Sequence, residues 1–407
     1  MNKSLVIILF IFSINLSFAQ WEFCSETIAN PTHITALAIK DSIIFAGSAY
    51  SGIYVSTDNG NTWAAKNNGL TVRQKQILSI LIKDSDIYLG TSTGVAHSND
   101  NGDNWTSKKI GIGLHCVNSL ANIEDNIFAG TDIGVYLSTD QGENWVEKNI
   151  GIGSYPYIYS LFTIGSTIYA TTDRGGIHFS TDEGRSWTYS TEASPYKPNI
   201  NCFTLKWNSA IGRYQIFGGT CYSGLIVVSN NDGASWINIK SGRETSCVSA
   251  IVSNDSYIFS GTDSEWDYGS VYISTNNGES WIEKNDGLPA SIFGIRSFAI
   301  KENTIFAGLS NGNGIYRAKI SDLVSDVKDN SFNTADIDFY PNPASDYINV
   351  PAYLGWQYQI YDLLGNCVQS GVIESDKINI SQLSAGVYYL EIYTGSLFSR
   401  NKLLIMR

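Results

Sequence analysis

Ser56-Thr57-Asp58-Asn59-Gly60-Asn61-Thr62-Trp63 has the pattern S-x-D-x-G-x-x-W, and the chain repeats it. The pattern returns at Ser98 to Trp105, Ser138 to Trp145 and Ser180 to Trp187; two further copies, Ser229 to Trp236 and Ser274 to Trp281, carry Asn at the Asp position. Successive tryptophans stand 42, 40, 42, 49 and 45 residues apart. A period near forty with strand-like sequence between the copies points to stacked sheet modules. Each copy fits a tight corner between two strands. The side chain of Asp58, Asp100, Asp140, Asp182, Asn231 or Asn276 accepts backbone N–H groups just downstream. The Gly supplies a backbone conformation that other residues resist, and the Trp covers the corner. A neutral amide serves a turn but is a poor metal ligand or acid, so Asn231 and Asn276 favour a structural role for the position.

A second signal runs in step with the first. Ile43-Ile44-Phe45-Ala46-Gly47 is echoed at Ile87 to Gly90, Ile127 to Gly130, Ile168 to Thr171, Ile216 to Gly219, Ile258 to Gly261 and Ile305 to Gly308. Each copy follows another apolar run and precedes a loop and a third strand such as Gly52-Ile53-Tyr54-Val55. The order per unit is strand a, tight turn, strand b, loop, strand c, octapeptide, strand d. Strands b and c are apolar on both faces, as sheets covered by their neighbours must be. Seven units predict an all-β, seven-bladed propeller. The last unit lacks an octapeptide and strand d after Gly314-Ile315-Tyr316-Arg317. Trp21-Glu22-Phe23-Cys24 precedes the first strand a as Trp63 precedes the second, so residues 21–25 are expected to form the missing outer strand and close the ring.

The octapeptide resembles the Asp-box, or bacterial neuraminidase repeat, of sialidases, other glycoside hydrolases, sortilin-type receptors and photosystem II assembly factors. The resemblance implies a propeller and says little about activity. Sialidases of that family carry an Arg triad beginning in an Arg-Ile-Pro motif. This chain has no such motif: its first arginine, Arg73, lies in Thr71-Val72-Arg73-Gln74, and Arg174, Arg213, Arg243 and Arg296 match no family pattern.

The net charge is −12, with no basic cluster, which disfavours nucleic acid and anionic membrane as partners. Residues 1–19 read as a secretory signal peptide: Lys3, an apolar run from Leu5 to Phe12, then Ser17-Phe18-Ala19 before Gln20. No later segment is long enough to span a bilayer. Export would expose six cysteines to oxidising conditions. Cys202 and Cys221 belong to neighbouring strands of the fifth blade and are the expected disulfide; Cys116 and Cys247 hold equivalent sites in blades three and six. No cysteine pair has zinc-finger spacing and the four histidines are scattered, so no metal or cofactor is expected.

The propeller is expected over residues 20–321 and a polar linker over 322–337. A second all-β unit occupies 338–407, with the alternation and turns of a small sandwich of roughly seven strands. Its Tyr340-Pro341-Asn342-Pro343-Ala344-Ser345-Asp346 opening, Ile360-Tyr361-Asp362 hairpin ending at Gly365, Leu383 to Tyr388 strand and basic-apolar tail closely resemble the type A C-terminal sorting domain of the type IX secretion system. The resemblance implies a Bacteroidetes-type bacterium, Sec export, engagement of the type IX machinery by residues 338–407, and release or attachment at the outer surface.

In a propeller the b-to-c and d-to-a loops share one face and the octapeptides lie toward the other. Binding residues are expected on the loop face. Its richest arc holds Tyr155, Tyr157 and Tyr159 entering blade four, Tyr196 entering blade five, Tyr222 after Cys221, and Glu265, Trp266 and Tyr268 in the longest b-to-c loop. Aromatic faces beside carboxylates suit stacking on sugars or gripping a protein loop. Asp132, Asp173 and Asp263 hold equivalent loop positions and are the catalytic candidates, since paired carboxylates hydrolyse glycosides when about 5 Å or about 6.5–9.5 Å apart. The sequence thus favours an exported, non-catalytic binding propeller for a glycan or protein, with a secreted sialidase-like or other Asp-box glycosidase as the alternative.

Overall fold

The computed structural model describes residues 20–407 except 29–32, 110, 154–155, 174–175, 191–198, 209–210, 222–223, 241–246, 264–268, 291, 293, 326–338, 352, 364–365 and 395–396. Seven four-stranded antiparallel sheets succeed one another along the chain. The first sets the template, with strand a at Ile34–Lys40, b at Ile43–Ser48, c at Ile53–Ser56 and d at Ala64–Ala65. Strands a of successive blades touch one another, which places them innermost. The seventh sheet takes strands Ile295–Lys301, Thr304–Leu309 and Ile315–Lys319 from its own repeat and its outer strand, Glu22–Phe23, from the start of the chain.

That closure reproduces the contacts of an ordinary blade. Trp21 N donates to Asp286 O at 2.9 Å, as Trp105 N does to Asn68 O and Trp187 N to Ile150 O. The Trp21 indole donates to Lys284 O at 2.9 Å, as those of Trp105 and Trp187 donate to Lys66 O and Lys148 O. Arg317 adds a bidentate pair to Glu22, 3.1 Å at each contact.

One aromatic side chain per blade fills the space between sheets: Phe45, Tyr88, Phe128, Tyr169, Phe217, Phe259 and Phe306 are all essentially fully buried. Six of them reach the octapeptide glycine of the following blade. A Cβ on Gly233 would stand 2.6 Å from the Tyr169 ring, and one on Gly60 would stand 3.0 Å from Phe306, across the closure. The octapeptide glycine therefore serves two needs, a φ of +75° to +88° and close approach of the neighbouring ring. The residue before it is also left-handed: Asn59, Asn101, Gln141, Glu183, Asp232 and Asn277 have φ of 54° to 59°.

A second repeat, absent from the sequence reading, shapes the d-to-a connections. Asn67-Asn68-Gly69-Leu70, Asn149-Ile150-Gly151-Ile152 and Asn285-Asp286-Gly287-Leu288 share an Asn whose side-chain oxygen caps strand c, at Ile53 N (2.9 Å), Val135 N (2.8 Å) and Val271 N (2.9 Å). A Cβ on Gly69 would lie 2.1 Å from Trp105 O.

A short helix, Ile320–Val324, follows the last blade and buries Ile320 and Leu323 in the core of blades six and seven. The C-terminal unit has six strands among the described residues, near the roughly seven expected. Tyr347–Asn349 pairs with Lys377–Asn379, and a four-stranded sheet joins Cys367–Val372, Gln357–Tyr361, Gly386–Thr394 and Leu397–Ile405 in that order. Ile348, Val350, Ile360, Ile380, Leu390 and Leu403 form its core. No helix among the described residues is long and apolar enough to cross a membrane. Residues 1–19, read as a signal peptide, lie outside the described residues.

Candidate binding face at the channel mouth

Strand b ends where strand a begins, and seven equivalent positions ring the axis there: Ala49, Ser92, Asp132, Asp173, Cys221, Asp263 and Ser310. Their backbones pair at the entry to strand a: Asp132 N donates to Cys116 O at 3.3 Å and Asp173 N to Tyr157 O at 2.9 Å. Each strand a then carries a register shift around one residue: Thr35, Leu78, Asn118, Tyr159, Asn201, Ser249 or Arg296. Such a bulge re-aims a side chain. Thr35 Oγ1, Asn118 Nδ2 and Ser249 Oγ donate to the carbonyls of Ile77, Ile158 and Ile295 in the next blade, at 2.6, 2.9 and 2.6 Å. In blades four and seven the bulge residue, Tyr159 or Arg296, instead turns to an aspartate.

Two clusters result. Between blades three and four, His115 Nδ1 lies 3.1 Å from Asp132 Oδ1. The Tyr157 hydroxyl donates to Asn118 Oδ1 and the Tyr159 hydroxyl to Asp173 Oδ1, both at 3.5 Å. The two tyrosine rings stack at 4.9 Å, tilted by 53°. Burial raises the pKa of the Tyr157 hydroxyl against the opposing hydrogen bond to Asn118, and the Cys116, Asp132 and Asp173 charges add smaller upward contributions. Between blades six and seven, Arg296 Nη2 contacts Asp263 Oδ2 at 2.5 Å. Burial, followed by the Arg296 charge, holds the pKa of His33 down.

The structure thus brings Asp132, Tyr157 and Asp173 into one sector and gives Asp263 to another. Tyr155, Tyr196, Tyr222, Glu265, Trp266 and Tyr268 lie outside the described residues. Asp58, Asp100, Asp140, Asp182, Asn231 and Asn276 stay within their corners: Asp58 Oδ1 accepts Thr62 N at 2.9 Å and its Oδ2 accepts Thr62 Oγ1 at 2.7 Å. Asn231 Oδ1 likewise accepts Ser235 N at 2.8 Å, while its Nδ2 donates to Ser235 Oγ at 2.7 Å. His115, Asn118 and Arg296 were missed in sequence. The available signal was their place beside the interrupted alternation at the start of strand a.

The expected Cys202–Cys221 disulfide is corrected. Cys221 bonds Cys247, with Cα atoms 4.0 Å apart, and Cys202 is a free thiol. Within blade five Cys221 faces Asn199 while Cys202 faces Gly219, so the bulge carries Cys202 out of reach. Cys247 opens strand a of blade six at the same height of the ring. Cys202 Sγ turns instead to Val248 O at 3.5 Å, and its burial pushes its pKa up to about 12. Among the described residues no group of three or more His, Cys, Asp or Glu is placed to hold a metal ion.

Residues 73–317 match the DUF6242 beta propeller domain. The chain belongs to that family. Residues 338–406 of this DUF6242 propeller protein match the secretion system C-terminal sorting domain, which directs it through type IX secretion to the cell surface or beyond. No curated protein matches it. Among solved structures it is similar to the GH74 xyloglucanase of Xanthomonas campestris, at 15% identity and a TM-score of 0.57, covering 75% of this chain and 54% of that one. The DUF6242 chain therefore spans about half the length of that enzyme. YCF48 bound to D1 peptide is equally similar, at 15% identity and a TM-score of 0.57, covering 75% of this chain and 98% of that one. PorZ of Porphyromonas gingivalis, described as an essential surface component of the type IX secretion system, is 12% identical with a TM-score of 0.54, covering 92% and 60%. At such identities the likeness concerns the fold.

Proposed function

We propose that this secreted propeller is a non-catalytic binding module that takes a glycan or a protein segment on its loop face, centred on Tyr157 and Tyr159. The observation that carries this reading is the tilted tyrosine pair at the channel mouth, with Tyr157 37% exposed, the Asn118 amide at the Tyr157 hydroxyl and Asp173 at the Tyr159 hydroxyl. Rings offer stacking area, and the flanking acceptors orient hydroxyl or amide donors. Tyr155, Tyr196, Tyr222, Glu265, Trp266 and Tyr268 are assigned to the same face by their place in the repeat. One propeller of like fold is described bound to a peptide, which supports a protein ligand as well as a glycan. Sec export from a Bacteroidetes-type cell is part of the proposal.

The acids favour binding over hydrolysis. Arg296 neutralises Asp263, His115 engages Asp132, and Asp173 accepts the Tyr159 hydroxyl. A glycosidase needs one carboxyl kept protonated and a second aimed at the opposite side of the bond. The hydrolase reading keeps one supporting observation, that Asp132 and Asp173 hold equivalent positions in adjacent blades three and four. A glycan array and a panel of fluorogenic glycosides separate the two. Binding without turnover, weakened at least about tenfold by Tyr157→Ala, is expected. Turnover that disappears in Asp173→Asn would replace this reading with the hydrolase.

A further inference from the structure

A second concave site lies over blade two, adjoining the His115 edge of the tyrosine sector and distinct from the Tyr157–Tyr159 pair. It is a cleft of about 340 Å³ lined by residues that include Val72, Arg73, Gln74, Thr93, Lys109 and Leu114. The loop on one side is pinned. Gln74 is 2% exposed; its Oε1 accepts Thr71 N and Oγ1 at 3.3 and 3.1 Å, and its Nε2 donates to Ser107 Oγ at 3.0 Å. Lys75 N donates to Thr71 O, Gln76 N to Arg73 O, and Ser92 Oγ to Arg73 O, at 3.2, 3.1 and 2.8 Å. This fixed loop holds Val72 out in solvent, 86% exposed, and Leu114 from the next d-to-a loop is 64% exposed. Neither exposure contributes to the core, and the loop cannot collapse to hide Val72 without breaking those bonds.

The charges at the cleft run against the molecule. The chain has 38 acidic and 26 basic residues, yet no carboxylate lines this cleft. Arg73 and Lys109 make no ion pair with a carboxylate among the described residues, as Lys75 and Lys148 elsewhere do not, and here both stand at one cleft. Two unneutralised cations beside two solvated aliphatic side chains are complementary to a ligand that is both anionic and aliphatic. The lining has no aromatic ring on which a sugar could stack. We propose that this cleft docks an extended acidic segment of a partner protein, an aliphatic side chain seated between Val72 and Leu114 and its carboxylates met by Arg73 and Lys109.

The test titrates the full secreted protein with a fluorescein-labelled peptide of alternating leucine and aspartate, and in parallel with a leucine–lysine peptide and with oligogalacturonate. Saturable binding of the aspartate peptide alone is expected, weakened at least about tenfold by Arg73→Glu with Lys109→Glu and by Val72→Ser with Leu114→Ser, and weakened by salt. All four positions line an open cleft, and an unchanged unfolding midpoint establishes that each variant is folded. Equal binding of both peptides, no binding at millimolar peptide, insensitivity to the substitutions, or binding of oligogalacturonate in place of peptide overturns the proposal. Tyr157→Ala, which tests the tyrosine face, leaves this titration unchanged, so failure at one site is distinguishable from failure at the other.

Discussion

Asp100 shows how one side chain organises a corner. Its Oδ1 accepts Asn104 N at 2.9 Å and Ser98 Oγ at 2.8 Å, and its Oδ2 accepts Asn104 Nδ2 at 2.8 Å. These bonds, the Asn104 side chain's first, hold the carboxyl down to about 2. A folded-state pKa below the ordinary value of about 4 stabilises the fold at neutral pH, and that contribution is lost as pH falls from about 4 toward 2. An amide does not titrate: its Oδ1 accepts the same backbone N–H, as those of Asn231 and Asn276 do, and its Nδ2 donates instead to the oxygen of a flipped Asn104 amide. Asp100→Asn is therefore expected to stay within about 0.5 kcal/mol of the parent at pH 7 and to lose less stability between pH 4 and pH 2. Asp100→Ala should cost about 1 kcal/mol at pH 7, modest because water reaches the site. Urea unfolding at several pH values decides both; equal acid sensitivity of the parent and Asp100→Asn would refute the assignment.

Two elements close the molecule. The strand Glu22–Phe23 has only two residues, and its hold rests on Trp21, which is 2% exposed and packs with the cores of blades six and seven. Trp21→Ala is expected to cost about 3–5 kcal/mol and to free the Ile315–Lys319 edge for association. Denaturation with size-exclusion chromatography at two concentrations measures both; a variant as stable and monomeric as the parent would mean the ring does not depend on this strand. The Cys221–Cys247 bridge ties blade five to blade six across a separation of 26 residues, and its loss in Cys247→Ser should cost about 3 kcal/mol by loop entropy. Peptide mapping without reductant should recover the 221–247 linkage; a 202–221 linkage would restore the pairing within one blade.

At the scale of the molecule, a propeller bearing a sorting domain is a cargo and its address, and the two should separate. Deleting residues 338–407 is expected to leave a folded propeller that stays with the cell, shown by fractionating cells that express each form; secretion at the parental level would remove the sorting domain from the route. Blade number, ring closure and the sorting domain were legible along the chain because each rests on a local pattern: an octapeptide bonded within itself, a strand of fixed composition, a Trp before a strand. The binding face was legible only in part. Tyr157, Asp132 and Asp173 could be placed by counting from the repeat, but which aspartate meets Tyr159 or Arg296 depends on the bulge that re-aims one residue of strand a, and His115 meets Asp132 from the loop before strand a. The disulfide, the aromatic ring seated on the next blade's glycine and the cleft over blade two likewise join different blades or loops. Local periodicity sets the contents of a blade, whereas the rotation between blades decides which side chains of neighbouring sheets meet. That rotation exists only once the ring has packed.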